Sequence, residues 1–317
     1  MFKFNFTSQE LDIDETENQN LETSLNDLSL EESSTDKKIP AREYDISSTG
    51  LPNVIQGDVI QLPSLSRPLY KRMLDDVKFQ MAQQDTFDED NDNACSKVVS
   101  MLNLSGNSDL VRGVYEGGFK TWECSLDLVE FLAQLPSHEI CDKKILELGC
   151  GSALPSLYLL SRDEKNRVDV QDYNEEAIRY ITIPNILLNT VLSVQDSTST
   201  DLVEDTGDME DSESSSEEEE DEDEAPEEKD QIIGESSECD VEAEINSEKV
   251  PEMLARVSER TRAFVGDWSN LPTQLNVPEM ADKYDTIVTS ETIYNEHALP
   301  DLVRVFQYAL KKPSGVA

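Results

Sequence analysis

The sequence predicts an α/β protein built on a parallel, doubly wound sheet. Short apolar strands alternate with helical segments through the second half of the chain, in β-α-β-α order. One of these strands, "KKILELGCG", runs into two glycines one residue apart. The next, "RVDVQD", ends on an acid, Asp172, 21 residues after the second glycine. Sheets of this kind bind ligands at the carboxyl ends of their strands.

The elements follow in order. "MFKFNF" alternates Phe2, Phe4 and Phe6 with polar residues, a short aromatic motif. It heads residues 1–50, which are otherwise polar, acidic and expected to be disordered. Residues 51–100 read as a helical or irregular extension, in which 69–83, "LYKRMLDDVKFQMAQ", has the spacing of an amphipathic helix. A globular domain is expected over residues 101–317, interrupted by an acidic insertion at 193–250. Within the domain, "YEGGFKTWECSLDLVEFLAQL" is a glycine turn and then a helix from near Ser125, with Leu126, Val129, Leu132 and Leu135 on its core face. "ALPSLYLLSR" is a helix that tolerates Pro155 in its first turn. "EEAIRYITIPNILLNTVL" is a helix interrupted near Pro184. "RTRAFVGDWS" holds a third strand and "KYDTIVTSETIY" a fourth, and "LPDLVRVFQYALKK" is a helix. The chain stops at "KKPSGVA", where a fifth strand is expected to begin. It therefore reads as a fragment or truncated product lacking C-terminal strands, with an unpaired edge on the fourth strand.

The formal net charge is −42. Residues 196–240 hold 22 acids and one base, Lys229, a net −21 and half the total. Such a segment cannot bury enough apolar surface to offset its ordering entropy, so it is expected to be disordered. The charge argues against direct nucleic-acid binding and favours a basic protein as partner. The five cysteines include no CxxC pair and no metal spacing, which points to free thiols in a reducing compartment and to no metal. No signal peptide and no membrane-spanning run is legible. The expectation is a soluble intracellular protein.

The glycine turn "ELGCGSA" suits a nucleotide-like ligand, since Gly149 and Gly151 let the backbone come close to it. The third glycine of a dinucleotide fingerprint is replaced by Leu154. Asp172 is placed to accept hydrogen bonds from both ribose hydroxyls of NAD or of S-adenosylmethionine. Glu147 ahead of the glycines favours S-adenosylmethionine, because a carboxylate suits a cationic amino-acid ligand better than a pyrophosphate. Alternatively, Glu147 pairs backbone amides and Asp172 is a turn residue. After the third strand, Gly266, Asp267 and Trp268 lie where an adenine would sit; alternatively they are a helix cap and a packed aromatic. After the fourth strand, Ser290, Glu291, Tyr294 and Asn295 crowd the crevice where strand order reverses, either as a reaction mouth or as helix-cap chemistry. Trp122 precedes a helix beside the same region, as a wall of the site or as a core anchor. His138 and His297 read as surface residues, and Cys150 as a small residue in a tight turn.

Taken together and in order, "YEGGFKTWECSLDLVEFL", "ILELGCGSALP", "VQDYN", "TIPNILLN", "VGDWS" and "TSETIYN" closely resemble the protein-histidine N-methyltransferases. These are seven-strand, Rossmann-like enzymes of the S-adenosylmethionine-dependent type that methylate a histidine of a large-subunit ribosomal protein. The resemblance covers about residues 101–195 and 258–317, and the opening "MFKFNFTSQELD". It implies that S-adenosylmethionine contacts Trp122, Glu123, Cys124, Ser125, Gly149, Gly151, Asp172, Tyr173, Asn174, Gly266, Asp267 and Trp268. It implies that Ser290, Glu291, Tyr294 and Asn295 line the meeting point of methyl and imidazole, with Glu291, Tyr294 and Asn295 as catalytic candidates and methylation at the tele nitrogen. A ribosomal protein substrate, free or in ribosomes, a monomeric enzyme, and a cytoplasmic and nuclear location follow from the same resemblance. Ala153 departs from the third glycine of many such sites. Two alternatives stand beside this reading: a protein-lysine methyltransferase of the same fold, and a catalytically dead acidic binder that chaperones basic ribosomal proteins.

Overall fold

A computed structural model describes residues 39–85, 119–192, 195–196, 239–293 and 296–317. The aromatic motif at Phe2–Phe6, most of the acidic tract, Tyr294 and Asn295 lie outside the described residues.

The strands are β1 (Arg42–Tyr44), β2 (Val54–Ile60), β3 (Leu69–Arg72), β4 (Lys144–Leu148), β5 (Arg167–Asp172), β6 (Gln195–Asp196), β7 (Val241–Glu244), β8 (Ala263–Val265) and β9 (Thr286–Thr289). The helices are α1 (Leu74–Asp85), α2 (Glu123–Gln134), α3 (Ser137–Ile140), α4 (Leu154–Arg162), α5 (Glu175–Ala177), α6 (Ile183–Thr190), α7 (Val250–Ser258), α8 (Leu271–Leu275) and α9 (Leu299–Ala309). A π-helical stretch, Ile178–Thr182, joins α5 to α6, so the interruption expected near Pro184 is a widened turn just ahead of it.

The main sheet has the order β1-β8-β5-β4-β9. β8, β5, β4 and β9 are parallel, and β1 joins β8 antiparallel. Order therefore reverses between β4 and β9, the switch point of a Rossmann-like, doubly wound fold. Alternate residues of each strand point to opposite faces, and both faces are covered. Ile145, Val168 and Val170 pack with Val129, Leu132, Leu157, Leu160, Ile186 and Leu254 on one side. Leu146, Leu148, Phe264 and Ile287 pack with Leu271, Leu275, Leu302 and Val305 on the other.

Four expectations need correction. Residues 39–48, expected to be disordered, hold β1 and a 3-10 turn, Ile46–Ser48. Residues 69–72 are a strand rather than the start of a helix. Asn189 accepts from the Tyr70 N–H at 3.0 Å and donates to its carbonyl at 2.7 Å, and Asn185 accepts from the Arg72 N–H at 2.7 Å, so α6 supplies β3 with partners a helix would have had to forgo. The insertion is shorter than 193–250: Gln195 pairs with Glu242 and Asp196 with Val241, and α7 begins at Val250. β7 pairs with β2 and β2 with β3, completing a second, antiparallel sheet of order β3-β2-β7-β6. Finally, the outer edge of β9 is partly paired. Ile287 N–H donates to Val316 O at 2.9 Å, and Lys311 N–H to Tyr284 O at 2.9 Å.

Among the described residues no helix is long and apolar enough to cross a membrane.

Candidate cofactor and methyl-transfer site

Most of the singled-out residues follow the carboxyl ends of β4, β5, β8 and β9, neighbouring parallel strands, and so lie along one edge of the sheet. The turn after β4 is left-handed at Gly149, Gly151 and Ala153, with φ of 62°, 48° and 59°. Ala153 adopts this conformation despite its Cβ and opens α4. A Cβ on Gly149 would lie 2.3 Å from the Thr292 methyl, so the loop after β9 rests directly on the glycine turn. Thr292 is further tied to Thr289 by a 2.6 Å hydroxyl contact, and the Thr289 hydroxyl donates to Leu148 O at 3.0 Å.

Glu147 is buried, and its carboxyl faces α4, where Ser156 donates both its N–H, at 3.0 Å, and its hydroxyl. Burial pushes its pKa up to about 8 against the opposing pull of those bonds. The carboxyl that sequence reasoning turned toward a cationic ligand thus sits among backbone and hydroxyl partners and is protonated at neutral pH.

Asp172 ends β5, also buried. Its Oδ2 accepts the Gly151 N–H at 2.9 Å and its Oδ1 the Asn174 N–H at 2.9 Å. The Asn174 side chain and the Tyr173 N–H also bond this carboxyl. Burial raises its pKa to about 6, and the backbone N–H bonds limit the rise. Asn174 is buried beside it and Tyr173 is half-buried; the Tyr173 carbonyl accepts from the Gly266 N–H at 3.2 Å.

Gln171 escaped the sequence reading. It is buried, and its amide joins two loops: Oε1 accepts the Trp268 indole N–H at 2.8 Å and approaches the Gly149 N–H at 3.4 Å, while Nε2 donates to Gly266 O at 2.8 Å. Strand alternation could not single it out. Gly266 has φ of 101°, and Asp267 and Trp268 after it are half-buried. Asp267 Oδ1 accepts from Ser269, whereas its Oδ2 is buried without a hydrogen-bond partner among the described residues.

The opposite wall is the start of α2. Trp122 is 43% exposed, and Glu123 and Cys124 are exposed. Ser125 is buried, and its hydroxyl donates to Trp122 O at 2.7 Å, closing the first turn. The Cys124 thiol donates to Glu291 Oε1 at 2.8 Å, which draws this wall to the mouth after β9. The same bond pushes the Cys124 thiol up. Ser290 is half-buried and Glu291 exposed. Glu291 has φ of 54°, costly for a residue with a Cβ and of the kind that clusters at functional sites. Thr292, which sequence reasoning also missed, closes this mouth over Gly149.

These donors and acceptors fit S-adenosylmethionine. The turn at Gly149 and Gly151 admits close approach, Asp172 sets a carboxyl at the end of β5 where a vicinal diol would lie, and the orphaned Asp267 Oδ2 awaits an N–H donor such as an exocyclic amine.

No protein-family model matches the chain. It is 39% identical over 145 residues to histidine protein methyltransferase 1 of Schizosaccharomyces pombe, spanning 44% of this chain and 41% of that one. It is 32% identical over 210 residues to the histidine protein methyltransferase 1 homolog of Bos taurus, spanning 66% and 44%. It is 32% identical over 216 residues to histidine protein methyltransferase 1 of Saccharomyces cerevisiae, spanning 61% and 56%. The chain spans about half the length of these relatives.

Proposed function

We propose that this relative of the histidine protein methyltransferases, with their Rossmann-like fold, is itself a protein-histidine N-methyltransferase that uses S-adenosylmethionine. The observation that carries the reading is the switch-point edge of the sheet, where the Gly149–Gly151 turn, Asp172 and the open Asp267 oxygen end three neighbouring strands and Glu291 follows the fourth. Gly149, Gly151, Asp172, Asp267 and Trp268 would hold the donor, with Trp122 and Ser125 on the facing wall. When bound, the donor supplies an electrophilic methyl on a sulfonium.

An imidazole has a pKa near 6.5 and is mostly neutral at cellular pH, so no strong base must act before attack. The protein's task is to position the ring and fix its tautomer. Glu291 accepts the N–H of the ring nitrogen that is not methylated, which directs the other lone pair to the methyl and favours the imidazolium as it forms. Substrate displaces the Cys124 thiol from this carboxylate. Tyr294 and Asn295 are assigned to orienting the ring. We further assign the substrate as the tele nitrogen of a histidine in a large-subunit ribosomal protein, free or in ribosomes, met by a monomeric enzyme in the cytoplasm and nucleus. The −42 charge of the chain suits a basic protein of that kind.

Glu291→Ala tests the central role. Calorimetry should show S-adenosylmethionine binding as in the wild type, and methylation of ribosomal protein should fall by about a hundredfold or more. Full activity in the variant would remove Glu291 from the mechanism.

A further inference from the structure

Residues 39–44 carry no sequence motif, yet they brace the turn that carries Asp267. β1 lies along the outer edge of β8, pairing Arg42 with Val265 and Tyr44 with Ala263. Just before it, the backbone crosses the turn after β8. A Cβ on Gly266 would come within 2.6 Å of Pro40 O and 2.8 Å of both Ala41 Cα and Ile39 O. The Asp267 N–H donates to Ile39 O at 2.7 Å. Asn270 grips Ala41 from both sides: its Oδ1 accepts the Ala41 N–H at 2.6 Å and its Nδ2 donates to the Ala41 carbonyl at 3.0 Å. Outside, Arg42 pairs with Glu175, and Glu43 takes Arg262 through both oxygens at 2.9 and 2.8 Å. Ala41 and Tyr44 are buried.

The turn carrying Asp267 is therefore held from outside by this strap. Within the turn, Ser269 engages Oδ1 through its N–H, at 2.7 Å, and its hydroxyl. Oδ2 is left buried and open. Its position follows from two anchors, Ser269 on the side chain and Ile39 on the backbone.

We propose that the strap of residues 39–44 is a wall of the donor site that sets Asp267 for an amine donor, and that Asn270 is a positioning residue for cofactor binding through its two bonds to Ala41. The proposal rests on the reading of this edge of the sheet as an S-adenosylmethionine site. It places the start of the functional unit at the strap rather than at residue 101.

The test uses the full 317-residue chain and Asn270→Ala. Calorimetry measures the Kd of S-adenosylmethionine and S-adenosylhomocysteine, and hydrogen exchange follows residues 39–46 and 267 with and without S-adenosylhomocysteine. The Asn270→Ala Kd should rise about tenfold, the scale of losing part of two hydrogen bonds. In the wild type, ligand should slow exchange across the strap, since a strap that supports binding must in turn be supported by it. A merely structural strap would slow no more than amides remote from the donor site, which gain only the global stabilisation that ligand brings. Unchanged affinity in Asn270→Ala, or strap exchange that ignores ligand in a wild type that binds it, overturns the proposal alone. A wild type that binds neither compound overturns the donor reading as well. If Asn270→Ala does not fold, wild-type exchange decides.

Discussion

Replacing Glu147 by glutamine should flatten a pH dependence of stability. The native carboxyl keeps its proton up to a pH of about 8, whereas the unfolded chain sheds it near 4.5. Between those values the native state holds one more proton than the unfolded state, so stability falls as pH rises. Below 4.5 the group is neutral in both states and costs nothing; above 8 the full cost of a buried charge is present. A shift of that size corresponds to about 5 kcal/mol over the whole interval, at about 1.4 kcal/mol per pH unit. Glutamine can still accept the Ser156 N–H that Glu147 accepts at 3.0 Å, but has no proton to lose. Urea unfolding of both proteins at pH 5.0, 6.5 and 8.0 gives the difference in stability at each pH. The difference should move in favour of the glutamine variant by several kcal/mol from the lowest pH to the highest, on the order of the linkage above. A difference constant to within about 0.5 kcal/mol would refute the assignment of Glu147 as a buried, protonated acid.

Other predictions address the ligand and the fold. Asp172 titrates at about 6 without ligand, and only its ionised form accepts two ribose hydroxyls fully. Affinity for S-adenosylmethionine should therefore weaken about tenfold between pH 7.5 and 5, and Asp172→Asn should bind weakly with little pH dependence; a flat wild-type profile by calorimetry contradicts this. Arg72 is fully buried, with Nε 2.6 Å from Asp76 Oδ2 and Nη1 donating to Tyr180 O at 2.9 Å. Arg72→Met should cost about 3 kcal/mol by leaving Asp76 uncompensated, and adding Asp76→Leu should restore part of it; a double variant as unstable as the sum of the singles argues against the pair. Gly149→Ala should abolish donor binding or destabilise the chain, since its methyl would collide with Thr292 in a left-handed turn.

The parts of this fold that were legible in sequence are those with a strong local signal. The strand at Lys144–Leu148 ends in glycines that only a tight turn explains, and Asp172 follows at a spacing the fold requires. The helices Glu123–Gln134 and Leu299–Ala309 carry apolar stripes. What was not legible depends on distant partners. Residues 69–72 have helical spacing, and it is the side chains of Asn185 and Asn189, more than a hundred residues away, that make them a strand. The strap residues Arg42–Tyr44 are only three, and their pairing with Ala263–Val265 leaves no periodic trace. Gln171 and Thr292 look like ordinary strand and loop residues until the turns they join are in place. Glu147 stands beside the glycines in the sequence, but the direction of its carboxyl is set by Ser156 in the next helix.

The most direct test of the central claim is the chemical identity of the methylated residue. The chain is incubated with methyl-labelled S-adenosylmethionine and unmethylated ribosomal protein, the product is hydrolysed, and labelled amino acids are separated. Label is expected in N-methylhistidine, and less of it when Asp172→Asn replaces the wild type at a donor concentration near the wild-type Kd. Label in methyllysine, or none from a chain that binds the donor, would contradict it.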